Sequence, residues 1–568
     1  MRRLATLLLL NLAACGGPAP APAQPTFTLR VESPVLELRV TQTATLKVTV
    51  SRSGGFVAPV ILSLGGENTG LESAPVTVLG GEGSLSIKVT DAAKTGTSFP
   101  VVVGTAGALT KSETLTLRVA KAVAAVSSVT VKEGGGSAQV RQGFGSVTLQ
   151  VQGSNLERVT AFRVGDLETA LLPGRTPTGL ELQVRVPHGA TLGAKRLVLT
   201  TEGGDADLLA LTVTPITSGP GGSDASGAGT PERPYRSLKR ALSQSSTGDT
   251  VRLLNGTYSA VNGETWASDD GTTVIPNVPA GVMVEGESRA GVILSGPNTL
   301  ATSVALAFSG GGGARALTAR GFTAGFRVGG SVSLENVAVQ SVLGGGGVKA
   351  DGGSLRVAGS EFSGGAVGLL LFGTVDAELV GGSAHDNGTG VSLSGAAKLR
   401  VTGGFAAYAN GAGMQVSGQA EAALEGSQFH SNRATGVLAN GDSVLRVSGC
   451  EFYANATSGL EFGGRSLTLR GSTLRDNRGA GLTVSRSPTK VDLGTFTDPG
   501  NNDLRGNSAA LGQISDIRLY VSGLGQVVFT LSATRLNGVT PRPDIYTGQY
   551  SNLPYFSIAV PNVTVQIF

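Results

Sequence analysis

His385, Tyr408, His430, Tyr453 and Arg475 follow one another at intervals of 22 or 23 residues. Each stands one position after a member of a second column, Ala384, Ala407, Phe429, Phe452 and Leu474, which begins one interval earlier with Phe362 and Ser363. A flat ring with an apolar face and a polar edge suits contact with sugar rings, and a guanidinium adds a fixed charge. These five residues are therefore the candidate ligand-binding set, and they hold two of the three histidines in the chain. Two repeats separate His385 from His430, about 10 Å at about 4.8 Å per strand, which is too far for a shared metal ion.

Acid/base chemistry on a polymer needs carboxylates within a few ångströms of each other. Glu361 and Glu451 share a column but lie four repeats apart, about 19 Å, and Asp386 and Asp476 are similarly separated. Asp269 with Asp270, and Asp498 with Asp503, are loop acids that turns could gather around a metal or a substrate. Cys450 aligns with Ser360, Ser427 and Ser472, the place of a small inner filler. No nucleophile triad, metal-ligand set or cofactor motif is identified, and the catalytic residues are unassigned. The leading expectation is a non-catalytic module that binds carbohydrate or another envelope polymer. A polysaccharide lyase, hydrolase or epimerase is the main rival, and a purely structural surface or adhesion protein is the third reading.

Such columns need a repeating scaffold. Gly325, Gly347, Gly368, Gly390, Gly413, Gly436, Gly459 and Gly481 recur every 21 to 23 residues, each followed by an apolar residue. That period fits one coil of a solenoid, with the glycine expected to mark a turn. Asn387, Asn410, Asn432, Asn455 and Asn477 keep the same step, as asparagines stacked in a structural amide ladder would. Between them a strand alternates, with Leu355, Ala377, Leu399, Ala422, Leu445 and Leu467 inward, followed two positions on by Val357, Leu379, Val401, Leu424, Val447 and Leu469. The outward columns, Ser354, Asp376, Lys398, Glu421, Val444, Ser466 and Arg356, Glu378, Arg400, Ala423, Arg446, Thr468, predict salt-bridged ladders.

The chain has 568 residues, 86 of them glycine, without a collagen period. Scattered glycine among Val, Leu, Thr and Ser predicts an all-β protein of short strands and tight turns. The resemblances described below imply, within that class, two immunoglobulin-like β-sandwiches followed by a right-handed parallel β-helix. Period-two alternation, as in Leu36 to Val40 and Thr45 to Val50, places the first sandwich at 26–120. The second, at 125–215, carries Ser146 to Val151 and Arg196 to Thr200. A linker follows at 216–229. The one clear helix signal, Tyr235 to Leu242, is expected to cap a β-helix of about ten coils over 230–514, with a C-terminal β cap at 515–568. Formal charge is +4, too small over this length for a nucleic-acid footprint.

Residues 1 to 15 have a positive start, an apolar run too short to span a bilayer, and then Leu12-Ala13-Ala14-Cys15. This resembles a bacterial lipobox, which implies lipidation of Cys15 and removal of residues 1–14. The remainder would be tethered to the cell envelope, at the outer membrane, through the Pro/Ala/Gly spacer 16–25. The expected partners are the membrane, through the anchor, and a polysaccharide or other envelope polymer. With Cys15 acylated, Cys450 has no disulfide partner. Gly55 to Leu64 resembles bacterial immunoglobulin-like envelope domains, and Val151-Gln152-Gly153-Ser154-Asn155-Leu156 is similar to the immunoglobulin-like fold shared by plexins and transcription factors. Gly248-Asp249-Thr250-Val251, Gly256-Thr257-Tyr258, Gly263-Glu264 and Pro279-Ala280-Gly281-Val282 resemble a bacterial domain of unknown function. That domain opens right-handed parallel β-helices of the pectin-lyase-like superfamily. Asp492-Leu493-Gly494-Thr495 and Pro499-Gly500-Asn501-Asn502 are similar to its far end. The resemblance implies the fold and is silent on activity.

Overall fold

Alternation of apolar and polar residues dictates both sandwiches. In the computed structural model, Thr43–Ser53 buries Leu46, Val48 and Val50 and turns the residues between them outward. It pairs antiparallel with Thr26–Val31 and Glu82–Val89, and the opposing strands bring Val60, Leu62 and Val102 into the same core. The second sandwich closes Val147, Leu149 and Val151 against Leu197, Leu199, Leu211 and Val213 in two four-stranded sheets. The structure describes residues 24–133, 138–264, 266, 277–298, 303–342, 344–485, 490–495 and 497–507, together with backbone strands at 517–520, 527–531, 535–536, 544–547, 556–558 and 563–567. Cys15, most of the tether, and Asp269 with Asp270 lie outside the described residues.

The expected linker 216–229 is instead part of the solenoid. Ile216–Ser218 follows Gly204–Thr214 after Pro215 alone and pairs in parallel with Thr250–Leu253 as the first strand of a long sheet. The glycine- and serine-rich segment after it is tied down by Asp224, which accepts hydrogen bonds from the N–H groups of Arg236 and Ser237 and from the Ser237 hydroxyl. Composition alone does not distinguish a bonded loop from a free one. The helix is shorter than expected, Leu238–Ser243, because Ser237 is its N-cap and accepts from the Arg240 N–H. Glu264 accepts from the N–H groups of Leu238 and Lys239 at the same end, and burial pushes its carboxyl up to about 7.

The second sandwich is seated on this first coil. Asp249 is buried and takes the His188 ring Nδ1 at 2.5 Å and the Gly189 N–H at 2.8 Å. The Gln142 amide bridges the Ala190 carbonyl and the Thr250 N–H. The third histidine of the chain thus belongs to a domain junction.

Beyond it the chain winds into three parallel sheets that hold 15, 12 and 12 strands among the described residues. Every strand pairs with its counterpart one coil later, so the predicted inward columns are continuous: Leu355, Ala377, Leu399, Ala422, Leu445 and Leu467 are all buried, as are Val357 to Leu469. Phe362, Phe405, Phe429, Phe452 and Phe462 fill the interior. Ser360, Ser427, Cys450 and Ser472 are buried at one inner turn, where burial pushes the Cys450 thiol up to about 11. The charge ladders form in part. Arg356 pairs with Glu378 along its column, whereas Arg446 reaches Glu421 diagonally and Arg400 reaches Glu425. Lys398, in register between Asp376 and Glu421, makes no ion pair among the described residues. An exposed ammonium gains little from such a contact.

The glycine column marks no left-handed turn, although Gly436, Gly459 and Gly481 sit in bends just before their strands. Gly347, Gly368, Gly390 and Gly413 lie inside strands, and none of them has a positive φ. A Cβ on Gly390 would stand 2.4 Å from the Gly413 carbonyl oxygen, and one on Gly413 would stand 2.4 Å from that of Gly436. These glycines are required by the close approach of successive coils. The left-handed bend falls instead on Asp386, Ala409, Ser431, Ala454 and Asp476, at φ of 53 to 56°.

The expected C-terminal cap over 515–568 is also corrected. Ile517–Tyr520, Val527–Leu531 and Arg535–Leu536 extend the three sheets by a further coil. Asp544–Thr547 then pairs antiparallel with Val563–Ile567 at the end of the first sheet. That reversal covers an edge which would otherwise be open to pairing with another chain.

Candidate functional site

The second sheet consists mostly of three-residue strands, so each coil presents an outward residue, a buried one and a second outward one. The buried column is Phe362, Ala384, Ala407, Phe429, Phe452 and Leu474, all fully enclosed. The third position of each strand carries Ser363, His385, Tyr408, His430, Tyr453 and Arg475, in register from coil to coil and half-buried.

Asparagines two positions after this column hold it in place. Asn387, Asn410, Asn432, Asn455 and Asn477 are buried, and each donates from Nδ2 to the Oδ1 of the next at 2.9 to 3.2 Å. Each also donates to a main-chain carbonyl one coil back, as Asn432 does to Ala407 at 3.1 Å. Every Oδ1 from Asn410 onward accepts the preceding asparagine's backbone N–H as well. The left-handed residue between each stack side chain and its asparagine costs about 1–2 kcal/mol without glycine, and the ladder's bonds offset that cost. Asn507 adds a sixth member that the 22-residue step misses, because a longer loop separates it from Asn477. The repeat of Leu474-Arg475-Asp476-Asn477 as Leu504-Arg505-Gly506-Asn507 was the available signal.

With the coils held at this spacing, the rings stack on one another. His385 and Tyr408 lie 4.9 Å apart at 9°, Tyr408 and His430 5.3 Å at 6°, and His430 and Tyr453 4.6 Å at 5°. The Arg475 guanidinium covers the last face, 4.4 Å from the Tyr453 ring centre. The internal ring faces are therefore turned to each other, and a ligand approaching this flank meets ring edges: two phenol hydroxyls, two imidazoles and a guanidinium. Burial holds the His430 imidazole below its ordinary range, although Glu451 nearby acts in the opposite direction. His385 lies between two carboxylates, with Nδ1 2.7 Å from Asp386 and Nε2 3.4 Å from Glu361.

Glu361 also pairs with Arg289, a loop residue that column spacing does not reach because the early coils lack the glycine column. Arg289 opens a groove of about 440 Å³ on the same flank, lined with Arg320, Gln340, Ile293, Thr318 and Ala338. The stack and this cationic groove form one surface.

Of the loop acids, Asp498 and Asp503 are each held by an arginine. Asp498 accepts two hydrogen bonds from Arg470, which also binds Asp492, and Asp503 pairs with Arg505. Among the described residues no three His, Cys, Asp or Glu side chains converge as metal ligands. Glu361 and Glu451 remain four strands apart in one column.

With this geometry established, the chain can be compared with known proteins. Residues 404–512 match the family described as right handed beta helix region. Residues 221–296 match a protein of unknown function, DUF1565. No curated protein matches the chain. Among solved structures, the mannuronan C-5 epimerase AlgE6 A-module of Azotobacter vinelandii is similar at 17% identity, over 56% of this chain and 89% of that one, with a TM-score of 0.40. Domains 5-6 of the S-layer protein SbsC are similar at 15% identity, over 33% of this chain and 98% of that one, with a TM-score of 0.14.

Proposed function

We propose that this chain is a cell-envelope protein, lipid-anchored through Cys15 at the outer membrane, that binds a polysaccharide or related envelope polymer without cleaving it. The observation that carries this reading is the unbroken line from the Arg289 and Arg320 groove to Arg475, with polar edges repeated at every coil. A polymer with a regular repeat gains from a surface with a regular repeat, since each added unit meets a like contact at little further entropic cost. Arg289 and Arg320 favour acidic polymers, through charge-assisted hydrogen bonds to carboxylate or sulfate groups.

One grouping favours the enzymatic alternative: His385 between Glu361 and Asp386, beside the groove. Asp386 orients the ring through Nδ1, and the Nε2 contact to Glu361 at 3.4 Å is the longer of the two. The test is a panel of acidic and neutral polysaccharides, scored for retention of the full chain and for new reducing or unsaturated ends. Retention without new ends is expected, and replacing both Tyr408 and Tyr453 by alanine should weaken it about tenfold. Unchanged affinity in that variant would remove the stack from the site. Cleavage that is lost in His385→Ala would make the chain an enzyme, and no retention at all would leave a structural surface role.

A further inference from the structure

The first sandwich has two unlike poles. At one, the chain enters at Thr26 beside Ser53. Around that entry stand the loop Gly54 to Pro59, the turn Leu79 to Gly81, and the turn Ala106 to Ala108, which is brought to the same end because Ile61 pairs with Thr105. None of these three turns contains a charged residue. The Arg52 guanidinium lies at this pole and binds the carbonyls of Gly80, Val78 and Ala58, which locks the first two turns together and places one positive charge beside them. Val57 is 87% exposed, Leu79 75% and Ile61 45%. The opposite pole carries Glu32, Glu67, Asp91 and Lys94, and it is already occupied by the second sandwich. There Arg39 binds the Gly203 carbonyl at 2.9 Å, Thr41 meets Asn155, and Arg158 pairs with Asp91.

We infer that the Val57 and Leu79 pole seats in the headgroup layer of the membrane that holds Cys15. This rests on the lipid-anchor reading above. Ten residues, 16–25, separate Cys15 from Thr26 and span about 30 Å as a semi-extended spacer, and they join the sandwich at the Val57 and Leu79 pole. The lipid surface is therefore the apolar phase nearest to these side chains. Aliphatic side chains enter an interface at little desolvation cost, the Arg52 guanidinium among them suits anionic headgroups, and each aliphatic side chain fully buried is worth about a tenfold gain in partitioning or more. The anchor then fixes an orientation as well as a position, with the β-helix at the far end of the two sandwiches.

The experiment places tryptophan at Val57, Leu79 or Ser33 in the full lipidated chain, reconstituted into phosphatidylethanolamine and phosphatidylglycerol vesicles that contain brominated lipid. Ser33 lies at the charged pole, and Trp266, packed edge-on against Phe322, supplies a constant background. Val57→Trp and Leu79→Trp should be quenched about twofold or more, and Ser33→Trp should remain at background. Flotation with the vesicles but equal emission at all three positions would overturn this inference alone. Failure to float would overturn the anchor and this inference together. A blue shift at Val57→Trp and Leu79→Trp that needs no vesicles would assign the pole to a second copy of the chain, and would also overturn it.

Discussion

The turn glycines of the first sandwich and the strand glycines of the β-helix answer to opposite needs. In the first sandwich Gly54, Gly55 and Gly107 have positive φ, and a Cβ on Gly55 or Gly107 would meet nothing within 4 Å. There glycine supplies a backbone conformation in open space. In the β-helix Gly390 and Gly413 have ordinary strand conformations with a carbonyl 2.4 Å from where a Cβ would be, while Ala409 and Ala454 take the left-handed conformation themselves. The β-helix also bends through open-space glycines, Gly359, Gly404 and Gly426, at positive φ, so close approach is a demand that its stacked strands add to the ordinary one of the turn.

Four substitutions break or sharpen that contrast. The largest effect is expected from Gly413→Ala, where backbone lies on the far side of the added methyl. The cost should reach the top of the overpacking range, about 3 kcal/mol, read by chemical denaturation of the β-helix. A cost below 1 kcal/mol would mean that the coil spacing yields. Next comes Asn432→Ala, which strands the Ala407 carbonyl and the Asn410 N–H and leaves the Asn455 Oδ1 with one donor, the backbone N–H of residue 432, in place of two. About 2 kcal/mol is expected, with faster amide hydrogen exchange confined to the neighbouring coils. Exchange that quickens evenly along the whole solenoid would contradict nearest-neighbour coupling. The smallest effects form a matched pair: Gly107→Ala should destabilise the first sandwich by about 1 kcal/mol, and Ala454→Gly should stabilise the β-helix by up to about 1 kcal/mol. Equal signs in the two melting curves would erase the distinction.

A titration separates the cap helix from the stacked coils in the same way. Glu264 is raised in the folded state, so the folded chain holds its proton more tightly than the unfolded chain does. Its contribution is full below the ordinary carboxylate range and is lost as pH rises to about 7. Glu264→Gln should flatten that decline around the cap helix. His430 has the opposite sign, since burial lowers its value and its contribution is lost as pH falls through the depressed value. The coils around the stack should therefore loosen on acidification while the cap tightens, which hydrogen exchange at two pH values would resolve.

The parts of the molecule legible in the sequence are those set by repetition. Inward columns, the asparagine ladder and the candidate stack all follow from a constant step, because parallel pairing places equivalent residues one above another. Parts set by exceptions to the step were not legible. Asn507 lies beyond a longer loop, Arg289 comes from coils without the glycine signature, and Ile216–Ser218 reads as linker from its neighbours' composition. The glycine column was visible, but its cause was not, since the same residue type answers to a bend or to a clash and only coordinates tell them apart. Ring stacking was similarly hidden: the spacing placed the rings in line, and only the structure shows that their faces are turned to each other.

Cys450 gives the chain its own clock. Its thiol is buried at an inner turn, with Sγ 3.5 Å from the Ser448 carbonyl, and burial raises it to about 11, so alkylating reagents have almost no thiolate to attack while the coil is closed. Labelling can then proceed only as often as that coil opens. A time course of mass addition in the folded protein would count the openings of one turn near the middle of the stack, and a bound polymer that braces the flank would slow the count.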